Sequence, residues 1–129
     1  MSNVLFIDND ESLLRSFKRT SKVGKYPFKV FTETHASEAL QIVIENDISV
    51  VVADTSLDGV NCKAFFEELR EFNPSIIRIT LSSNINNLES FNDDGQTHAN
   101  IAKPCESKFI LNWIEKLFIY RKYKNYSTN

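Results

Sequence analysis

Glycine, proline, cysteine and histidine are all scarce in this chain of 129 residues, at three, three, two and two. Three glycines cannot supply the Gly-rich phosphate loops of P-loop or dinucleotide-binding folds. The two cysteines, Cys62 and Cys105, lack CxxC spacing, and with only two histidines they build no zinc site. Free thiols in a reducing compartment are expected instead. No apolar run approaches the ~20 residues that a membrane helix needs. The first residues, Met1-Ser2-Asn3-Val4-Leu5-Phe6-Ile7-Asp8, carry no basic lead and meet an acid too early for a signal peptide. Neither sign of charge dominates: 15 basic against 17 acidic residues leave a net −2, so no broad basic field argues for nucleic acid. The expectation is a cytoplasmic protein that contacts neither membrane nor nucleic acid.

What is present is ordinary for a globular chain, with 42% hydrophobic and 25% charged residues, and the length suits one domain. Short apolar runs alternate with amphipathic stretches. The runs Val4–Ile7, Phe28–Phe31, Ile48–Ala53, Ile76–Leu81 and Ala99–Ala102 have strand character. The first, and the third from Val50 on, are continuously apolar, as strands buried on both faces are. Helical spacing places Leu13, Leu14 and Phe17 on one face, and Ala36, Ala39, Leu40 and Val43 on another. Cys62, Phe65, Phe66, Leu69 and Phe72 follow the same rule, as do Ile110, Trp113, Ile114 and Leu117. A further helix is expected within the polar stretch Ser83–His98. This alternation predicts an α/β fold, a doubly wound parallel sheet of five strands with helices on both faces. Ligands of such sheets bind at the rim formed by the strand C-termini.

The residues that end the strands share a chemistry. Strand one ends in Asp8-Asn9-Asp10, strand three in Asp54, strand four in Ser82 and strand five in Lys103-Pro104. Clustered carboxylates repel one another and recruit a cation or hold a proton. A hard, oxygen-lined site suits Mg²⁺. A lysine and a hydroxyl beside it point to phosphoryl transfer on or off a carboxylate.

Over essentially its whole length the chain resembles the receiver domain of two-component response regulators. Val4-Leu5-Phe6-Ile7-Asp8-Asn9-Asp10-Glu11 is similar to the family's first strand and acidic pair. Asp54 after Val50-Val51-Val52-Ala53, Ser82 after Ile79-Thr80-Leu81, and Lys103-Pro104 match its other motifs. The resemblance implies a flavodoxin-like sheet in the order 2-1-3-4-5 and a cis peptide before Pro104. It implies Asp54 as phosphoacceptor, with Ser82 and Lys103 binding the phosphoryl group. Mg²⁺ would be held by Asp8, Asn9, Asp54 and the backbone carbonyl of Ser56, with Asp10 a further candidate. Ser82 and Asn100 occupy the switch positions. The implied phosphoryl donor is a sensor histidine kinase, a phosphotransfer protein or an acyl phosphate. Catalysis beyond the domain's own phosphoryl transfer and autodephosphorylation is not implied.

Departures from the family pattern accompany the matches. The second acid of the pair is Asn9, which coordinates without charge and predicts weak Mg²⁺ binding. Asp58 stands where the family has proline, Asn61-Cys62 where it has Asp-Gly, and Asn100 where it often has an aromatic. Two other readings compete. One is a degenerate pseudo-receiver that binds partners without phosphorylation. The other is a haloacid-dehalogenase-type phosphatase with Asp8 as nucleophile and Asp10 as acid/base, which leaves Asp54 unemployed. His35 and His98 read as surface residues, and Cys105 lies beside the expected site. Residues 1–120 are expected to form the receiver and 121–129 a basic tail or the start of a linker. The final helix carries more apolar residues than one face can bury, Phe109, Leu111, Phe118 and Ile119 among them. That surplus predicts a homodimer through this helix, or contact with an output domain.

Overall fold

The computed structural model describes residues 3–56, 62–83 and 97–127, with side chains through Lys122. In chain order the elements are β1 (Asn3–Ile7), α1 (Glu11–Gly24), β2 (Lys29–Glu33), α2 (Ala36–Glu45) and β3 (Ile48–Asp54). They continue with α3 (Cys62–Phe72), β4 (Ile77–Ser82), β5 (Ala99–Ala102) and α4 (Ser107–Ser127). The helix expected within Ser83–His98 lies outside the described residues, as do Asp58 and Asn61.

All five strands are parallel and lie in the order β2-β1-β3-β4-β5. The continuous apolar runs explain why β1 and β3 are central. Val4 and Phe6 enter one core with Val50, Val52, Phe17, Ile110 and Ile114, whereas Leu5 and Ile7 enter the other with Val51, Ala53, Ala39 and Phe66. Alternation along the strand thus feeds two layers, α1 and α4 on one face and α2 and α3 on the other. Phe6 and Phe17 stack at 4.0 Å between ring centroids, locking α1 on the sheet.

Several boundaries differ from the sequence reading, for physical reasons. Strand β2 begins at Lys29 and runs to Glu33, because its register is set by pairing with Asn3–Ile7. Phe28 stands just before the strand and buries against Tyr26 and Phe118. Phe72, the last residue of α3, is half exposed because the helix ends there. Helix α4 continues through the basic stretch to Ser127. Of its four surplus apolar residues, Leu111 is fully buried and Phe118 packs 5.6 Å from Phe28, while Phe109 and Ile119 stay exposed.

Gly24 closes α1 where a Cβ would meet the Tyr26 ring at 2.5 Å, so this turn admits no larger residue without shifting that ring. At the start of β5, His98 brackets Arg78 of β4. Its N–H donates to the Arg78 carbonyl at 2.8 Å, and its Nδ1 accepts from the Arg78 N–H at 2.9 Å. His98 is exposed, as expected of a surface residue. Partial desolvation nevertheless lowers its pKa, and the charges of Arg78 and Arg121 lower it further, against a smaller upward pull from its backbone hydrogen bond with Arg78. A neutral Nδ1 acceptor is therefore part of the folded state. Its contribution to stability is complete above the ordinary imidazole value of about 6.5 and is lost as pH falls through the lowered folded value. Urea unfolding between pH 8 and pH 5 checks this. The midpoint should fall on acidification, and His98→Asn should make the decline shallower; an unchanged slope refutes the role.

Candidate functional site

The C-terminal rim of the sheet gathers the residues that the sequence placed at strand ends. Asp8 follows β1 and Asp54 ends β3; both are buried, at 2% and 6% exposure. Lys103 follows β5, and its Nζ lies 2.6 Å from Asp8 Oδ2 and 3.4 Å from Asp54 Oδ2. The ammonium thus bridges the two carboxylates and lies closer to Asp8. Partial burial pulls the Lys103 pKa down, but the Asp8 hydrogen bond and the charges of Asp8 and Asp54 outweigh it, so the net shift is upward. The lysine is firmly cationic at neutral pH. The Lys103-Pro104 peptide bond is cis.

Backbone donors hold the remaining carboxylate oxygens. Asp8 Oδ1 accepts from the Asp10 N–H at 2.9 Å, and Asp54 Oδ1 accepts from the Ser56 N–H at 3.1 Å. Ser82, buried at the end of β4, is one residue beyond Leu81, the register partner of Asp54. Its carbonyl accepts from the Lys103 N–H at 2.8 Å, and the Leu81 carbonyl accepts from the Thr55 N–H at 2.9 Å. Backbone bonds therefore tie together the ends of β3, β4 and β5.

Asp10 and Asn9 are engaged elsewhere. Asp10 caps α1, its Oδ1 accepting from the N–H groups of Ser12 at 3.0 Å and Leu13 at 3.2 Å. Asn9 is exposed, and its Nδ2 donates to the Ser56 carbonyl at 3.3 Å. Among the described residues no three His, Cys, Asp or Glu side chains converge as a metal cluster. The donors that fit Mg²⁺ are the two carboxylates and the Ser56 carbonyl, all hard oxygens. The Asn9 amide turns its nitrogen toward that carbonyl, which no cation accepts as a ligand.

Asn100 Oδ1 accepts from Thr80 Oγ1 at 2.6 Å across the β4–β5 ladder. The sequence reading missed Thr80; its signal was the register that sets it opposite Asn100. Beside Lys103, a cleft of about 480 Å³ is lined by Asp10, Leu13, Phe17, Pro104, Cys105 and Ile110, among others. Burial pushes the Cys105 thiol up, as does Glu106, against the smaller opposing pull of Lys103. Cys105 is thus a poor thiolate. His35 is exposed at the N-terminus of α2, with its N–H donated to Glu33.

A five-stranded parallel sheet in this order, with two buried carboxylates and a bridging lysine on its rim, defines a class that sequence comparison specifies further. The response regulator receiver domain model matches residues 4–115, and the chain belongs to that family, the receiver modules of two-component signalling. It is similar to a response regulator receiver domain protein from Methanospirillum hungatei, with TM-score 0.82 and 18% identity over 96% of this chain and 98% of that one. A receiver domain protein from Clostridium thermocellum superposes with TM-score 0.79 and 21% identity over 95% of this chain and 98% of that one. The hydrogenase transcriptional regulatory protein HoxA of Cupriavidus necator is 30% identical over 81 residues, 63% of this chain. The match spans only 16% of HoxA. Among the described residues no helix is long and apolar enough to cross a membrane.

The ion cluster generates a stability prediction. Lys103→Met leaves two buried carboxylates facing each other and should destabilise the fold by about 1–3 kcal/mol. Combining it with Asp8→Asn should recover most of that loss. A double-mutant cycle by urea unfolding measures the coupling; strictly additive losses would contradict the bridge.

Proposed function

We propose that the chain is a phosphoacceptor receiver that takes a phosphoryl group on Asp54 from a histidine kinase, a phosphotransfer protein or an acyl phosphate. The observation that carries this reading is the Lys103 ammonium held between Asp8 and Asp54. Asp54 is fixed by the Ser56 N–H on one oxygen, which leaves Oδ2 as the nucleophile. As Oδ2 bonds to phosphorus, the phosphorus–nitrogen or phosphorus–oxygen bond of the donor breaks and its electron pair leaves with the donor. Lys103 supplies positive charge to the transferring oxygens, and the Ser82 hydroxyl donates to one of them. Mg²⁺, when bound, neutralises phosphoryl oxygens; Asp8, Asp54 and the Ser56 carbonyl are the groups that would hold it.

Acetyl phosphate with Mg²⁺ tests the assignment by mass spectrometry. Asp54 should gain about 80 Da as a phosphoryl adduct, and Asp54→Asn should lose it. Labelling on Asp8 would support the phosphatase reading. An unlabelled protein would support a phosphorylation-independent interaction module, the reading that the missing charge at Asn9 favours.

The output surface is proposed to lie on α4. Phe109, Lys116 and Tyr120 follow i, i+7 and i+11 and so share one stripe, along which Phe109 is 60% and Tyr120 66% exposed. A second copy is the proposed partner, with an output domain as the alternative. Sedimentation at tens of micromolar should show a dimer that Phe109→Asp disperses without loss of stability. A monomer at that concentration would leave the stripe to an output domain.

A further inference from the structure

Asn9 stands where a second acid would bring charge to the rim, and its contact decides what it does there. Its Nδ2 donates to the Ser56 carbonyl at 3.3 Å, across the gap between the loops that follow β1 and β3. A flipped amide would set two oxygens face to face, so the carbonyl dictates which end of the amide it meets. An N–H aimed at a carbonyl takes one of its two lone pairs and places partial positive charge beside the other, where a cation would sit. The other oxygens at this rim, on Asp8 and Asp54, are shared with Lys103 and with backbone N–H groups. Asp10 turns its carboxylate to the N-terminus of α1, accepting there from the N–H groups of Ser12 and Leu13.

We propose that Asn9 is a latch and not a ligand: its amide binds the Ser56 carbonyl in competition with Mg²⁺, and the cation loads only when that bond opens. The proposal rests on the reading of Asp8 and Asp54 as a Mg²⁺-assisted phosphoacceptor site. It makes loading depend on a higher Mg²⁺ concentration than a two-acid site requires. A ligand and a latch predict opposite signs on removal. Deleting a ligand weakens the cation, whereas deleting a latch frees the carbonyl and tightens it.

The test titrates MgCl₂ into the wild-type chain, Asn9→Ala and Asn9→Asp. Calorimetry reads affinity, and NMR follows the Ser56 backbone amide and the Asn9 side-chain amide. Asn9→Ala should bind Mg²⁺ about two- to ten-fold more tightly than wild type, the equivalent of one neutral hydrogen bond. Asn9→Asp should bind more tightly still. In the wild type the Asn9 amide signals should move with the same midpoint as Ser56. Weaker binding by Asn9→Ala overturns the latch and makes Asn9 a ligand, leaving the Mg²⁺-assisted reading intact. Equal affinity overturns it too, since the bond then exerts no competition. Failure of all three proteins to bind Mg²⁺ at about 50 mM, where even millimolar affinity would be saturated, would remove the Mg²⁺-assisted reading and the latch together.

Discussion

The contact on which the rim depends is the one between the Lys103 ammonium and the Asp8 carboxylate. Asp8 is almost fully withdrawn from solvent, at 2% exposure, beside a second buried acid. Two carboxylates in such a place are tolerable only with a counter-charge inside hydrogen-bond range, and Lys103 supplies it at 2.6 Å. The consequence reaches across the sheet. β5 and β1 are separated by β3 and β4, so one side chain ties an edge strand to the centre. Backbone bonds from Thr55 to Leu81 and from Lys103 to Ser82 make the same tie one strand at a time.

This arrangement links the core to the chemistry. The central strands can end in buried acids because their other residues are apolar on both faces, giving the rim a rigid and dry floor. In the proposed reaction that rigidity would place charge where the phosphoryl group develops it, which is worth more than the same charges in water. The variable parts lie around that floor. Asn9 sits on the loop after β1, and the Thr80–Asn100 bond occupies the place where an aromatic often moves in this family. A hydrogen-bonded amide facing a buried threonine is a different device from a rotating ring. A motion that separates Asn100 from Thr80 breaks a polar contact and does not merely repack an apolar one.

Much of this was legible in the sequence, and the exceptions have definable causes. Val4–Ile7 and Ile48–Ala53 read as strands buried on both sides because nothing polar interrupts Val4–Ile7 or Val50–Ala53, and their central positions followed. Asp8, Asp54, Ser82 and Lys103 were visible as the first polar residues after apolar runs. β2 was harder: Thr32 and Glu33 carry no apolar signal, and only pairing with β1 makes them strand. The surplus in the final helix was half misleading. Leu111 is buried, and Phe118 is partly buried because Phe28 lies close enough to receive its ring. The engagement of Asp10 and Asn9 is decided by hydrogen bonds of a few ångströms. An acid just before a helix is a familiar cap signal, and the pairing of Asn9 with residue 56 has none.

β5 itself carries a consequence for how the charge cluster moves. It has four residues, none of them in the fully buried class, and only one strand, β4, is paired with it among the described residues. Local opening free energy follows buried contact, so this strand belongs to the readily opened part of the domain, while β1 and β3 belong to the part that opens only with global unfolding. The two acids are thus anchored at the ends of central strands, and their counter-ion follows an edge strand. In mechanical terms the carboxylates are the frame and the lysine is the moving contact. In the proposed function a change of charge at the rim would reach the sheet edge through Lys103, without passing through the core.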